Sequence, residues 1–373
     1  MKVIVLNDCA WVNGGASKVA LSSAAGLAAI GHEVRVVAGM GEPDDSIGVP
    51  IESLHMVPFN KLPARDGVRQ SWWNQKAADA VNDALRGSSP RDTVIHIHSL
   101  RDVLSGSVVR TAQRLGFKTI YTHHDYGAAC PYGGFFNYRT GAPCGRVALS
   151  PACIATACNL TGFSRKLGTV QKGMRERRLG FPASLSAHVF VSEFSRKIMA
   201  RYIPEGALTA TVRNPVAASK QPPLDPPGSA YVFVGRLTLE KDPVTFARSA
   251  RSAQAEAVFV GDGPLRDAVA LEGGRMLGWL DADRTIEVIR NAWALVFPSA
   301  WYETQGLSVA EAMACGVPVI ASDACAAREP VEASGGGLLF SSGSAESLAA
   351  KIAELSDPEL RADLSRRAHE WFW

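Results

Sequence analysis

The 373-residue chain is long enough for two domains with separate cores, since single domains usually run about 100 to 200 residues. Its 47% apolar and 20% charged residues exclude a disordered chain, and a net charge of +3 is too small to argue for a nucleic-acid partner. No apolar run reaches the roughly 18 residues of a membrane helix, and MKVIVLNDC lacks a basic stretch ahead of a long apolar one, so a cytoplasmic protein is expected.

In chain order, KVIVLN reads as a buried first strand, followed by Gly14 and Gly15 and a helix from about Ser17 to Ile30. Paired glycines ahead of a helix let backbone N–H groups approach a phosphate, although a plain strand-to-helix turn has the same pattern. EVRVVAG, TVIHIHS, KTIYTHH and AHVFVSE continue the strands. His96 and His98 alternate onto one face, whereas His123 and His124 point to opposite faces, so one of the latter pair is expected at the ligand side with Asp125 beside it.

The segment after His124 is rich in glycine and proline and holds Cys130, Cys144, Cys153 and Cys158. Four thiols there could hold a structural Zn²⁺, stay reduced, or pair as disulfides; the spacing is not that of a zinc knuckle. RKLGTVQKGMRERRLG then carries six cations and one acid. It reads either as a solvated face or as a peripheral contact with anionic lipid or an acidic glycan.

Four prolines and a glycine within seven residues make a stiff connector, placed at 215–229 between an N-terminal domain (1–214, with its insertion at about 126–180) and a C-terminal domain (230–373). The second half repeats the strand–helix rhythm with AYVFVGR, EAVFVGDG, GRMLGWL, ALVFPSA and PVIASD, which implies a second parallel sheet. AYVFVGR stops at Gly235 and supplies Arg236 and then Lys241, two cations at a strand's carboxyl end that match a diphosphate. ALVFPSAWYETQGLSVAEAMACG reads as strand, loop and helix, with Glu303 in the loop and Glu311 inside the helix. Their separation of about 10 Å or more is long for a glycosidase pair and suits two grips on one extended ligand.

VGRLTLEKDP, VGDGPLRDAV, VFVSEFSRKIM and GWLDADRTIEVIRNAWALVFPSAWYETQGLSVAEAMACGVPVIASD together resemble the retaining glycosyltransferases of family 4 in order and spacing. The resemblance implies the GT-B fold, an α/β architecture of two Rossmann-like domains whose parallel sheets face across a cleft. It implies a donor such as a UDP- or GDP-sugar and a glycan, lipid-linked or small-molecule acceptor. Arg236 and Lys241 would hold the diphosphate, with Gly14 and Gly15 closing over it and Gly235 ending the strand beneath. Glu303 would meet the sugar hydroxyls and Glu311 the ribose. Backbone amides of Thr304, Gln305, Gly306 and Leu307 would meet sugar and phosphate, Gly278 and Trp279 would line the base, and His124 with Asp125 would stand at the reaction centre.

The resemblance also implies front-face transfer with no cofactor. Thr304 and Gln305 depart from the usual Gly-Phe at those positions. A nucleotide-sugar epimerase and a non-catalytic sugar-nucleotide sensor are the competing readings. Peripheral contact with the inner membrane face is a further expectation.

Overall fold

The computed structural model describes residues 1–160, 162–216 and 218–373, the side chain of Ala64 excepted. The expected insertion and connector therefore each include one residue, Thr161 and Ala217, outside the described set. The chain divides into two compact units, Met1–Gly134 with Gly145–Pro215, and Phe135–Cys144 with Val216–Trp373. The Phe135–Cys144 segment thus groups with the second unit and not with the rest of the cysteine-bearing insertion.

In the first unit, β1 (Lys2–Cys9), β2 (Glu33–Met40), β3 (Ile51–Ser53), β4 (Thr93–Ile97) and β5 (Lys118–His123) form a parallel sheet; β6 (Phe136–Asn137) and β7 (Ala142–Pro143) pair as a separate antiparallel hairpin of the second unit. β8 (Ala187–Phe190) and β9 (Thr209–Thr211) complete the first sheet, whose order among the described residues is β3-β2-β1-β4-β5-β8-β9. β1 is buried from Val3 to Cys9, the continuous apolar run expected of a strand covered on both faces. The helix Gly15–Ala29 packs Leu21 and Ala24 on Val34 and Val36. A fully buried Val or Leu contributes about 1.5–3 kcal/mol relative to leaving it exposed, so these apolar faces fix which side of each element turns inward.

The second unit carries β10 (Tyr231–Val234), β11 (Ala257–Val260), β12 (Arg275–Gly278), β13 (Ala294–Phe297), β14 (Val319–Ser322) and β15 (Gly337–Phe340), all parallel in the order β12-β11-β10-β13-β14-β15. Each sheet reverses its winding once, between β1 and β4 in the first and between β10 and β13 in the second. Open α/β sheets bind ligands at the carboxyl ends of the strands flanking such a reversal.

Among the described residues, 212–230 form no helix or strand. This connector is not a free tether, because Arg290 donates to the Pro222 carbonyl at 3.1 Å and His369 bonds the Gln221 carbonyl at 2.9 Å. The helix Pro358–Phe372 packs within the second unit, where Ser365 bonds the Gly316 carbonyl and Trp373 that of Ala314.

Candidate functional site

In the second unit the strand ends at the reversal point bring together the residues singled out in sequence. Lys241, six residues beyond Gly235, forms an ion pair with Glu303 from the loop after β13, and both side chains are largely buried. Trp301 Nε1 donates to the same Glu303 oxygen at 3.0 Å, and the Lys241 ammonium lies 5.5 Å from the Trp301 ring centre and 5.7 Å from that of Phe297. Two aromatic faces and a carboxylate thus hold the ammonium in place. Arg236 is more open, with 62% of its side chain exposed, and reaches the buried Glu240 at 3.5 Å.

The Glu303 carbonyl accepts from Ala326 N at 3.0 Å, and Ala300 N donates to the Glu240 carbonyl at 2.9 Å, so the two loops are tied to their surroundings through the backbone. Gly306 has a positive φ of 84°, and a Cβ there would stand 2.8 Å from the Phe297 ring, so any other residue would be strained and crowded. The turn launches the helix Leu307–Ala314 with no side chain capping its first amides. Thr304 is buried and Gln305 half-buried ahead of it, and Glu311 lies on its fifth position, half-buried. Gly235 ends β10, while Gly278 closes edge strand β12 and leaves Trp279 67% exposed just beyond it.

In the first unit Gly14, at φ 85°, opens the helix Gly15–Ala29, which likewise has no side-chain cap. The dominant feature there is Asp8, a residue the sequence reading passed over. Its buried carboxylate accepts from the Ser99 hydroxyl at 2.5 Å and from the backbone amides of Arg101, Asp102, Val103 and Leu104 at 2.7–3.2 Å. One β1 acid therefore shapes the whole loop after β4. The available signal was an acid closing an otherwise apolar strand. Asp8→Asn should cost about 2 kcal/mol in urea unfolding, because an amide nitrogen cannot accept where a carboxylate oxygen did. An unchanged midpoint would refute this role.

That loop meets the His-Asp segment. Arg101 donates to Asp125 Oδ2 at 2.6 Å and to the Tyr132 carbonyl at 3.0 Å, and Gly127 N donates to Asp125 Oδ1 at 2.6 Å. His98 Nδ1 lies 2.8 Å from His124 Nε2, so one of these nitrogens carries the shared proton. Burial pushes the His124 imidazole down to about 4 and His98 well below its ordinary value. His123 points the other way, to a fully buried contact with His188 at 3.1 Å. His96 stands beside His98 with ring centres 4.2 Å apart, as the alternation implies.

Of the four cysteines of the insertion, Cys144 belongs to the second unit and Cys130, Cys153 and Cys158 to the first. Cys158 Sγ at 3.0 Å, the Thr156 carbonyl at 3.2 Å and Cys153 Sγ at 3.9 Å surround the ammonium of buried Lys166. Burial opposes that charge, but the bond to Cys158 and attraction to Cys158, Cys153 and Cys130 leave the lysine pKa raised. Among the described residues no three His, Cys, Asp or Glu stand close enough to hold a metal ion.

Two family models match the chain, a glycosyl transferase 4-like domain over residues 14–158 and glycosyl transferases group 1 over 217–371. It is 32% identical over 194 residues to the D-inositol 3-phosphate glycosyltransferase of Acidothermus cellulolyticus, covering 45% of this chain and 43% of that protein. It is 32% identical over 156 residues to the sulfoquinovosyl transferase SQD2 of Arabidopsis thaliana, covering 39% of this chain and 30% of that one. The matched stretches thus span less than half the length of either relative. Among solved structures, a sucrose-phosphate synthase from Thermosynechococcus elongatus superimposes with a TM-score of 0.69 at 20% identity, covering 100% of this chain and 94% of that one. Anabaena Alr3699/HepE in complex with UDP-glucose does so with 0.67 at 18% identity, covering 99% and 94%.

Proposed function

We propose, from the premise that this chain has the GT-B fold with a glycosyltransferase model matching each half, that it transfers a hexose with retention from a UDP-sugar to an acceptor hydroxyl. The observation that carries the reading is the Lys241–Glu303 pair at the reversal point of the second sheet, with Arg236 open beside it. A dehydrogenase or a general Rossmann binder has no need of a cation and a carboxylate locked together there. A nucleotide sugar needs both, an ammonium for its diphosphate and a carboxylate for its sugar hydroxyls. UDP is favoured as the carrier because the structurally similar Anabaena protein is bound to UDP-glucose.

In this reading Lys241 and Arg236 stabilise the charge that develops on the departing diphosphate, helped by the uncapped amides at Gly306 and Leu307. Glu303 exchanges part of its pairing with Lys241 for the sugar hydroxyls, while Glu311 serves the ribose. Fixed cations supply what a divalent ion supplies elsewhere, so transfer is metal-independent. Neutral His124, steadied by His98, offers a hydrogen bond at the sugar without adding a positive charge that would compete for the diphosphate. The thiols take no part in the transfer step.

The test is incubation with a panel of UDP-, GDP- and ADP-sugars and mixed acceptors in the presence of EDTA. Acceptor-dependent release of UDP, undiminished by EDTA, is expected. Conversion of donor to an epimer without acceptor would replace transfer by isomerisation. Loss of transfer on chelation, restored by Mg²⁺, would overturn the metal-free mechanism.

A further inference from the structure

Lys166, on the buried side of the helix Phe163–Arg178, carries a charge for which the transfer chemistry has no use. A buried ammonium is costly unless negative charge stands beside it, and among the described residues no carboxylate pairs with this one. Its neighbours are the Cys158 and Cys153 sulfurs and the Thr156 carbonyl, with the Tyr132 ring centre 5.9 Å away. The sulfurs are the groups in that shell able to take up negative charge. Burial opposes the ammonium, and the bond to Cys158 with attraction to the sulfurs outweighs it, so the lysine pKa is raised.

Short-range bonds place the two sulfurs there. Ser150 caps the helix Pro151–Ala155 by accepting from Cys153 N at 3.2 Å; beyond the helix, Thr156 N donates to the Cys153 carbonyl at 3.3 Å and Cys158 N to the Thr156 carbonyl at 3.0 Å. The chain thereby folds back on itself, and both sulfurs come within 4 Å of one nitrogen. Both are free thiols, each 8% exposed, which admits an oxidant the size of a peroxide and shuts out a bulky disulfide. Two thiols that only fill space need no ammonium between them. A sulfur that attacks does, because the thiolate is the nucleophile and an adjacent lysine favours that form.

We propose that Cys158 and Cys153 form a peroxide-reactive dithiol, a site of oxidation in which Lys166 supplies the charge that activates Cys158. The Cys158 sulfur, its proton released, attacks one oxygen of hydrogen peroxide; the O–O bond breaks, Cys158 becomes a sulfenic acid, and the departing hydroxide takes up a proton and leaves as water. The Cys153 thiol then attacks the sulfenic sulfur, the S–S bond forms, and the hydroxide released leaves with the Cys153 proton as a second water. Two thiols lose two electrons and one peroxide is reduced to two waters. Lys166 does not compete with Cys153 for the sulfenic sulfur, because an ammonium has no lone pair with which to attack. The inference stands on the thiol–lysine cluster alone and does not depend on the proposed chemistry of transfer.

Intact-mass spectrometry of the full chain after treatment with a small excess of hydrogen peroxide, followed by peptide mapping, tests it. The mass should fall by that of two hydrogen atoms, and the peptides should locate a bridge between Cys153 and Cys158. Cys153→Ser should stop at a sulfenic acid on Cys158 that dimedone labels, and Cys158→Ser should give neither product. Lys166→Met should slow the oxidation at pH 7 by about ten-fold or more, while Lys166→Arg keeps most of the rate. Circular dichroism should match the parent for all four variants, and the dimedone result decides the matter if Lys166→Met does not fold. An unchanged mass, a bridge from Cys158 to Cys130 or through oxygen to the Lys166 nitrogen, or a parental rate in folded Lys166→Met would each overturn the proposal. So would stoichiometric zinc in the purified protein, which would assign the thiols to a metal.

Discussion

Glu303→Ala and Lys241→Ala should each lower transfer by about 10²–10³-fold with the fold retained, the loss expected when one preorganised electrostatic contact to the reacting group is removed. The geometry adds a second expectation that a mere count of lost contacts would not. The two side chains touch each other and share Trp301, so each single substitution also leaves its partner largely buried without its counter-ion. The double variant should therefore be far less impaired than the product of the singles, close to the worse of the two. Initial rates of UDP release by the four proteins measure this directly. Wild-type rates in either single variant would remove the pair from the mechanism, and strictly multiplicative losses would show that the two groups act independently.

Much of that arrangement was legible beforehand because it depends on short-range signals. A β-rich run stopping at glycine gives a strand's carboxyl end, and Arg236 and Lys241 follow directly. Glu303 in a loop and Glu311 inside a helix follow from Pro298, Gly306 and Gly316 as punctuation. The expected first helix, Ser17 to Ile30, differs from the observed Gly15–Ala29 only at its ends, where an open N-terminus has no capping side chain to mark it.

What was not legible depends on strand pairing. β3, β9 and β15 escaped the sequence reading: the first two are three-residue edge strands, and GLLF is preceded by a run of glycines. Asp8 looked like any acid ending a strand, and only the parallel pairing of β1 with β4 brings it under the 99–104 loop. Lys166 sat in a basic run that read as a surface. Its burial follows from the return of the cysteine segment over the helix, a long-range contact that composition and spacing do not encode. The cysteines themselves read as one cluster because they are close in sequence, yet Cys144 folds with the other unit.

The same parallel pairing concentrates imidazoles, and this sets the response to acid. The first unit should lose stability steeply as pH falls from about 6.5 towards 4, and unfold near pH 5. Burial holds His96, His124 and His188 at about 4, and His98 and His123 well below their ordinary value. An unfolded chain takes up these protons near pH 6.5, so below that value the unfolded state binds more protons than the folded one and is favoured. The contribution is fully present above about 6.5 and is lost as pH falls through the folded values. Each pH unit between the unfolded and folded values corresponds to about 1.4 kcal/mol per imidazole, so the three held at about 4 alone withdraw on the order of 10 kcal/mol, as much as a typical domain possesses.

Three carboxyls work in the opposite sense, because burial raises Asp242 to about 6 and raises Asp102 and Glu176, so each gains folded-state stability as it protonates. Asp242 belongs to the second unit, which leaves only Asp102 and Glu176 to oppose five histidines in the first. Urea midpoints followed from pH 7.5 to 4.5 measure the slope. His188→Phe, which keeps an aromatic ring against Phe190, should flatten it by up to one proton's worth, about 1.4 kcal/mol per pH unit. A midpoint that holds constant down to pH 4.5 would mean that these imidazoles are charged in the folded protein, and the neutral His98–His124 contact assigned above would fall with it.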